Sequence, residues 1–224
     1  MDTDAFTNVS VFQYIVDNWA LIEPQIVTHL EIVGECIVIT SLIGLGLGVT
    51  AARSQRLSTL IMAVTSTILT VPSFALFGLL SIWLGLANPP VIVGLVLYGL
   101  LPVTRNTRAG IKAVDLAVVE AARGMGMSRS QVLLKVELPL AVPVILGGIR
   151  QATVMIVAIA TVGATVGVND LGQTIISAIG RSTGTLDAVL AGIIPVAVIG
   201  ILADVVLAGV QRALSRGRVS VAAT

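Results

Sequence analysis

Charge is scarce in this chain. Lys, Arg, Asp and Glu make up 11% of its 224 residues, against about 25% in a soluble domain. With 56% hydrophobic residues and a mean hydropathy of +1.02, the composition places the chain among membrane proteins and leaves no room for a large soluble domain. There is one cysteine, Cys36, inside an apolar run. That excludes a disulfide framework and a cysteine-based metal site, and Cys36 reads as a small buried apolar side chain. There is one histidine, His29, at the start of a hydrophobic segment. It excludes a histidine metal site and any Ser-His-Asp chemistry, and it reads as an interfacial residue. No GxxxxGK[ST] phosphate loop occurs, so the chain is not expected to hydrolyse ATP or to be an enzyme by itself. Residues 1–8 carry Asp2 and Asp4 instead of the basic stretch of a signal peptide. The first spanning segment is therefore expected to direct insertion itself.

What is abundant is apolar length. A crossing helix needs about 20 mostly apolar residues. The sequence predicts an all-α polytopic membrane protein with five spans, near 29–51, 58–86, 90–105, 141–167 and 188–210. Leu57–Thr104 holds no charged residue and is too long for one crossing; Asn88-Pro89-Pro90 divides it. Residues 1–28 form an external or interfacial segment. Within it, 9–27 reads as an amphipathic helix anchored by Tyr14 and Trp19. A transmembrane domain occupies 29–212, and 213–224 form a cytoplasmic tail. Of the thirteen basic residues, eleven fall on one side if there are five crossings; Arg150 and Arg181 are the exceptions. The positive-inside rule then puts the N-terminus outside and the C-terminus in the cytoplasm. The outer loop 168–187 is expected to hold a short helix, Leu171–Ile179, broken by Gly180 and Gly184. Gly44 and Gly48, and Gly163 and Gly167, have the spacing of close helix contacts in lipid. Pro72 and Pro195 are expected to kink their spans.

The longest inner segment, 109–140, is polar and basic. Leu116–Arg123 is helix-forming, Gly124 and Gly126 interrupt it, and Ser128 with Gln131 has the form of a capping box. A second helix, Arg129–Leu138, is expected to end at Pro139. Without further information this loop reads either as a docking element or as a solvated amphipathic loop.

The pattern Glu120-Ala121-Ala122, Gly126, Val136 and Leu138-Pro139 resembles the EAA loop of permease subunits of bacterial type I ABC importers. Val136 stands where that family usually has isoleucine. The stretches Val71-Pro72-Ser73-Phe74-Ala75-Leu76, Tyr98-Gly99-Leu100-Leu101-Pro102, Arg105-Asn106-Thr107 and Gly148-Ile149-Arg150 look like the osmoprotectant branch, whose cargoes are glycine betaine, carnitine and choline. The likeness runs from about residue 27 to 212. It implies that Glu120, Ala121, Ala122, Gly126, Leu138 and Pro139 couple the chain to an ATPase. It also implies ATPase subunits carrying ATP and Mg, a second permease subunit (identical or homologous), an extracytoplasmic substrate-binding protein, and surrounding lipid. No cofactor or metal on this chain and no nucleic acid partner are expected. Another solute such as methionine, or an ion-coupled secondary transporter, are the alternative readings.

Ionisable residues inside spans are functional candidates. Glu31 and Glu35 share a helix face, and Glu35 could attract a quaternary ammonium. Arg150 has three open readings: snorkelling, pairing with a carboxylate, or lining an inner gate. Asp204 reads as interfacial. Of eight aromatics only Phe74, Phe77, Trp83 and Tyr98 lie in spans, thin material for a cation–π cage. Phe74 and Tyr98, with Pro72 and Ser73, are the path candidates, and the scarcity suits a low-affinity path.

Overall fold

The computed structural model describes residues 11–180 and 186–215. The expectations resting on Asp2, Asp4, Phe6, Arg181, Gly184, Arg216 and Arg218 lie outside them. Among the described residues the regular structure is helical. Its elements are α1 (Val11–Asp17), α2 (Trp19–Arg53), α3 (Gln55–Thr70), α4 (Ser73–Leu84), α5 (Asn88–Lys112), α6 (Leu116–Gly124), α7 (Arg129–Val132), α8 (Leu138–Ala160), α9 (Leu171–Gly180) and α10 (Leu186–Ser215). A π-helical turn, Leu133–Glu137, joins α7 to α8, and a 3₁₀ stretch, Thr161–Val166, follows α8.

Four helical runs are long and apolar enough to cross a membrane: α2, α5, Arg129–Val166 and α10. A fifth crossing results if α3 and α4 count as one broken span. The expected single span 58–86 is thus two helices. Pro72 adopts an extended conformation (φ −60°, ψ 134°) as the cap of α4. It ends one helix and starts another instead of merely kinking a continuous one. The division expected between an interfacial helix 9–27 and a span 29–51 is also corrected. The break falls at Asn18, and Trp19–Arg53 is one helix of 35 residues, about 52 Å long at 1.5 Å per residue. The prolines at 89 and 90 sit in the first turn of α5, where a missing N–H costs no helical bond. Residues 213–215, expected in the tail, belong to α10.

The chain divides into two compact units. Among the described residues, one comprises 11–36, 71–96, 155–180 and 186–202, the other 37–70, 97–154 and 203–215. In the first, Ile22, Leu171 and Ala191 form a buried cluster flanked by Tyr14, Ile15, Ile26 and Val196. Gly172 of α9 lies so close to the carbonyl of Thr161 that any Cβ there would collide with backbone. In the second, Ile111, Ala141 and Ile145 are covered by Leu45, Val49, Leu133, Leu138 and Ile149. Gly44 and Gly48, one turn apart, let α2 press on Val103 and Thr107 of α5.

Candidate functional site

The polar hairpin between α5 and α8 is built by local sequence. Asp115 caps α6 by accepting from the Ala117 N–H at 2.9 Å. The helix ends in a Schellman turn: Gly126 N–H donates to Arg123 O at 2.9 Å, and Met127 N–H to Ala122 O at 3.2 Å. That turn needs φ of +83° at Gly126, a value an L side chain adopts only with strain. The capping box forms. Gln131 N–H donates to Ser128 Oγ at 3.3 Å, and Ser128 N–H to Gln131 Oε1 at 2.8 Å. Val119, Ala122 and Val132 make the hairpin's own small core, with Val114, Met127 and Val136 around it.

This core corrects the reading of the alanine pair. Val119 and Ala122 are three residues apart and share the inward face. Ala122 is therefore 3% exposed, while Glu120 and Ala121 face outward. Ala122 is small so that two helices of the hairpin can meet; Ala121 alone offers a small surface beside Glu120.

Pro139 does not end the second helix. The chain continues as one helical run from Arg129 into α8. The Leu138 N–H reaches back five residues to Leu133 O. The wider turn leaves room for the proline ring, which would otherwise press on the carbonyl four residues before it. Leu138 packs on the Ile111–Ala141–Ile145 cluster.

One residue not singled out in the sequence ties the hairpin down. Glu137, with its side chain 8% exposed, accepts from Arg53 Nη2 at 2.7 Å. Arg53 is the last residue of α2. The available signal was a carboxylate in a basic loop that begins the fourth apolar stretch.

The path candidates are distributed over both units. Glu35, Pro72, Ser73 and Phe74 belong to the first; Tyr98 and Arg150 belong to the second. Glu35 and Pro72 are exposed, and Phe74 is 64% exposed. Tyr98 is 2% exposed and serves as core rather than as free lining. Arg150 takes the second of its three readings. Its Nε and Nη2 donate to Asp204 Oδ1 and Oδ2 at 3.0 and 2.9 Å, and its Nη1 to Gln211 Oε1 at 2.8 Å. Gln211 Nε2 in turn donates to the Pro143 carbonyl at 2.7 Å. Asp204 is thus the partner of Arg150, its side chain 37% exposed.

His29, expected as an interfacial residue, is enclosed by protein. It is fully buried, and its Nδ1 lies 2.9 Å from Asp170 Oδ2. Asp170 Oδ1 accepts from the Gly172 N–H at 2.9 Å and so caps α9. Beside it, Thr174 Oγ1 donates to Gln25 Oε1 at 2.5 Å. Helix α9 is thereby held to α2 by buried polar contacts. Cys36 is buried and points its thiol at the Ile92 carbonyl, 3.8 Å away. Among the described residues no group of His, Cys, Asp and Glu could hold a metal ion.

Residues 44–216 match the family described as binding-protein-dependent transport system inner membrane component. The chain is 41% identical over 179 residues to the glycine betaine/carnitine/choline transport system permease protein OpuCD of Bacillus subtilis (strain 168), covering 80% of this chain and 78% of that one. It is 37% identical over 205 residues to the carnitine transport permease protein OpuCD of Listeria monocytogenes serotype 1/2a (strain 10403S), covering 92% of each. In fold it is similar to a solved inward-facing MetNI methionine ABC transporter chain. The TM-score is 0.77 at 19% identity, over 88% of this chain and 98% of that one.

Proposed function

The chain belongs to the family of binding-protein-dependent transport system inner membrane components, a family of multi-pass membrane permeases, and from that premise we propose that it is the permease subunit of an ATP-driven importer for glycine betaine, carnitine or choline. The observation that carries the cargo is the 41% identity, spread over 80% of the chain, to a permease of that name. The N-terminus lies outside and the hairpin faces the cytoplasm, in keeping with the distribution of basic residues. The chain is non-catalytic. ATP and Mg are bound and used by a partner ATPase, and a second permease completes the path. A separate extracytoplasmic protein captures the solute.

The hairpin is where energy enters. Its outward face presents Glu120 and Ala121. Its inner face is locked by Ala122 and Val132, and its base is tied to α2 through Glu137 and Arg53. A push on Glu120 therefore moves a rigid unit and is not absorbed by a pliable loop. The exposed Glu35 adds a negative charge that a quaternary ammonium cation would meet.

The test is uptake of radiolabelled glycine betaine, carnitine and choline by vesicles holding the chain with its ATPase, second permease and binding protein. ATP-dependent uptake of at least one, competed by the others, supports the reading. Uptake of methionine and none of the three would replace the cargo, and uptake driven by an ion gradient without ATP would overturn the mechanism.

A further inference from the structure

Arg53, Arg123, Arg129, Ser130 and Leu133 line an open cavity of about 650 Å³ within the second unit. We propose that it is a binding site for a phosphate group, the one presented by an anionic phospholipid headgroup of the cytoplasmic leaflet. The leaflet rests on the orientation given above.

Charge is the first argument. Three guanidiniums meet here, and one carboxylate, Glu137, answers one of them, Arg53. Three positive charges less one leave two. Among the described residues neither Arg123 nor Arg129 has an ion-pair partner. Like charges gathered around one cavity repel, and an anion between them relieves that repulsion. Guanidinium forks match phosphate oxygens in pairs, and the Ser130 hydroxyl adds a further donor.

Position is the second argument. Arg53 ends α2, one of the four helical runs long and apolar enough to cross a membrane. Beyond Glu137, one turn into α8, Leu140 is 41% exposed. The cavity thus sets three arginines beside one apolar side chain, Leu133, at the ends of two helical runs long and apolar enough to cross a membrane. Basic pockets between spanning helices on the cytoplasmic side suit lipid headgroups.

The experiment is native mass spectrometry of the full-length chain in detergent. It is titrated separately with phosphatidylglycerol, phosphatidylcholine and inorganic phosphate. The test variant is Arg123→Gln/Arg129→Gln. Arg56→Gln/Arg212→Gln is the charge-matched control, since both arginines are exposed and outside the cavity. A basic residue at an anionic surface contributes about fivefold in affinity, so the test variant should bind phosphatidylglycerol about thirtyfold more weakly. The control should stay within about twofold, and wild type should prefer phosphatidylglycerol to phosphatidylcholine. If the double variant does not elute as a single folded species, Arg129→Gln alone should show the fivefold loss. An equal loss in the control would overturn the site in favour of diffuse surface charge. Binding of inorganic phosphate without preference for phosphatidylglycerol would overturn the lipid source. So would absence of both, with Arg129→Cys crosslinking to an ATPase subunit in the assembled transporter; the cavity would then receive an acidic protein side chain.

Discussion

Arg150 and Asp204 face each other fork to fork, 54 positions apart, with both guanidinium contacts at 3.0 Å or less. Both side chains are partly exposed in the chain by itself, at 30% and 37%, but they stand in helices apolar enough to cross a membrane, where a charge left without its partner is costly. Arg150→Met and Asp204→Leu should each lower the melting temperature of the detergent-solubilised chain. The double variant should recover most of the loss. Melting curves of the three check this, and additive losses would contradict it.

Glu120 is exposed and is not bonded to the rest of the hairpin in any way that shapes it. Glu120→Lys should leave membrane insertion and melting unchanged. ATP-dependent uptake and substrate-stimulated ATPase activity should fall at least tenfold, the size of one lost and reversed charge contact of about 1.4 kcal/mol. Uptake at the wild-type rate would remove Glu120 from the coupling contact.

The two alanines beside it should respond differently. Ala122 is packed among Val119 and Val132, so Ala122→Leu overfills the hairpin and should cost about 1–3 kcal/mol of its stability. Ala121→Leu should leave the fold intact and weaken only the association with the ATPase. Hydrogen exchange across residues 116–136 separates the outcomes: faster in Ala122→Leu, unchanged in Ala121→Leu.

Asp170 is buried, partners His29 and caps α9. Asp170→Ala leaves the imidazole and the Gly172 N–H unanswered, at a cost of about 1–3 kcal/mol for each buried group left unsatisfied. Proteolysis of the region around α9 should accelerate, and melting should fall. Asn169→Ala, which loses only a 3.4 Å contact with Gln25, should behave like wild type.

Gly172→Ala puts a methyl group against the Thr161 carbonyl, and backbone cannot swing aside as a side chain can. The variant should fail to yield a monodisperse chain at wild-type expression levels, read by fluorescence-detected size exclusion. Gly46→Ala, with open space around it, is the matched control.

The helical spans and the hairpin were legible because hydropathy, glycine and capping signals are local. Ser128 and Gln131 announce their own bonds, and Gly126 announces its turn. Pairings between distant segments were not legible. His29 and Asp170 are 141 positions apart, and nothing near either names the other. The lone histidine looks interfacial because it begins an apolar run, yet Asp170 and the segment that carries it cover it. Arg150 and Asp204 each stood in an apolar stretch, which demands some partner without saying which. Ala122 was misread for a subtler reason: the motif treats the alanines as a pair, whereas helical periodicity turns them to different faces. Pro139 looked like a terminator because the rule assumes an α-turn, and the chain uses a wider one.

That wider turn sets the phase of everything downstream. The stripe that covers the bundle core runs Leu133, Leu138, Ala141, Ile145, with steps of five, three and four. Five residues of ordinary α-helix rotate about 500°, which would leave Leu138 about 140° away from the stripe. The π turn closes on the fifth residue and returns it to the same side. Val132, just upstream, stays free to fill the hairpin core. Leu133–Glu137 thus acts as a one-residue gear tooth between two packing surfaces. Deleting one residue from it would straighten the rod but rotate α8 out of mesh with the hairpin.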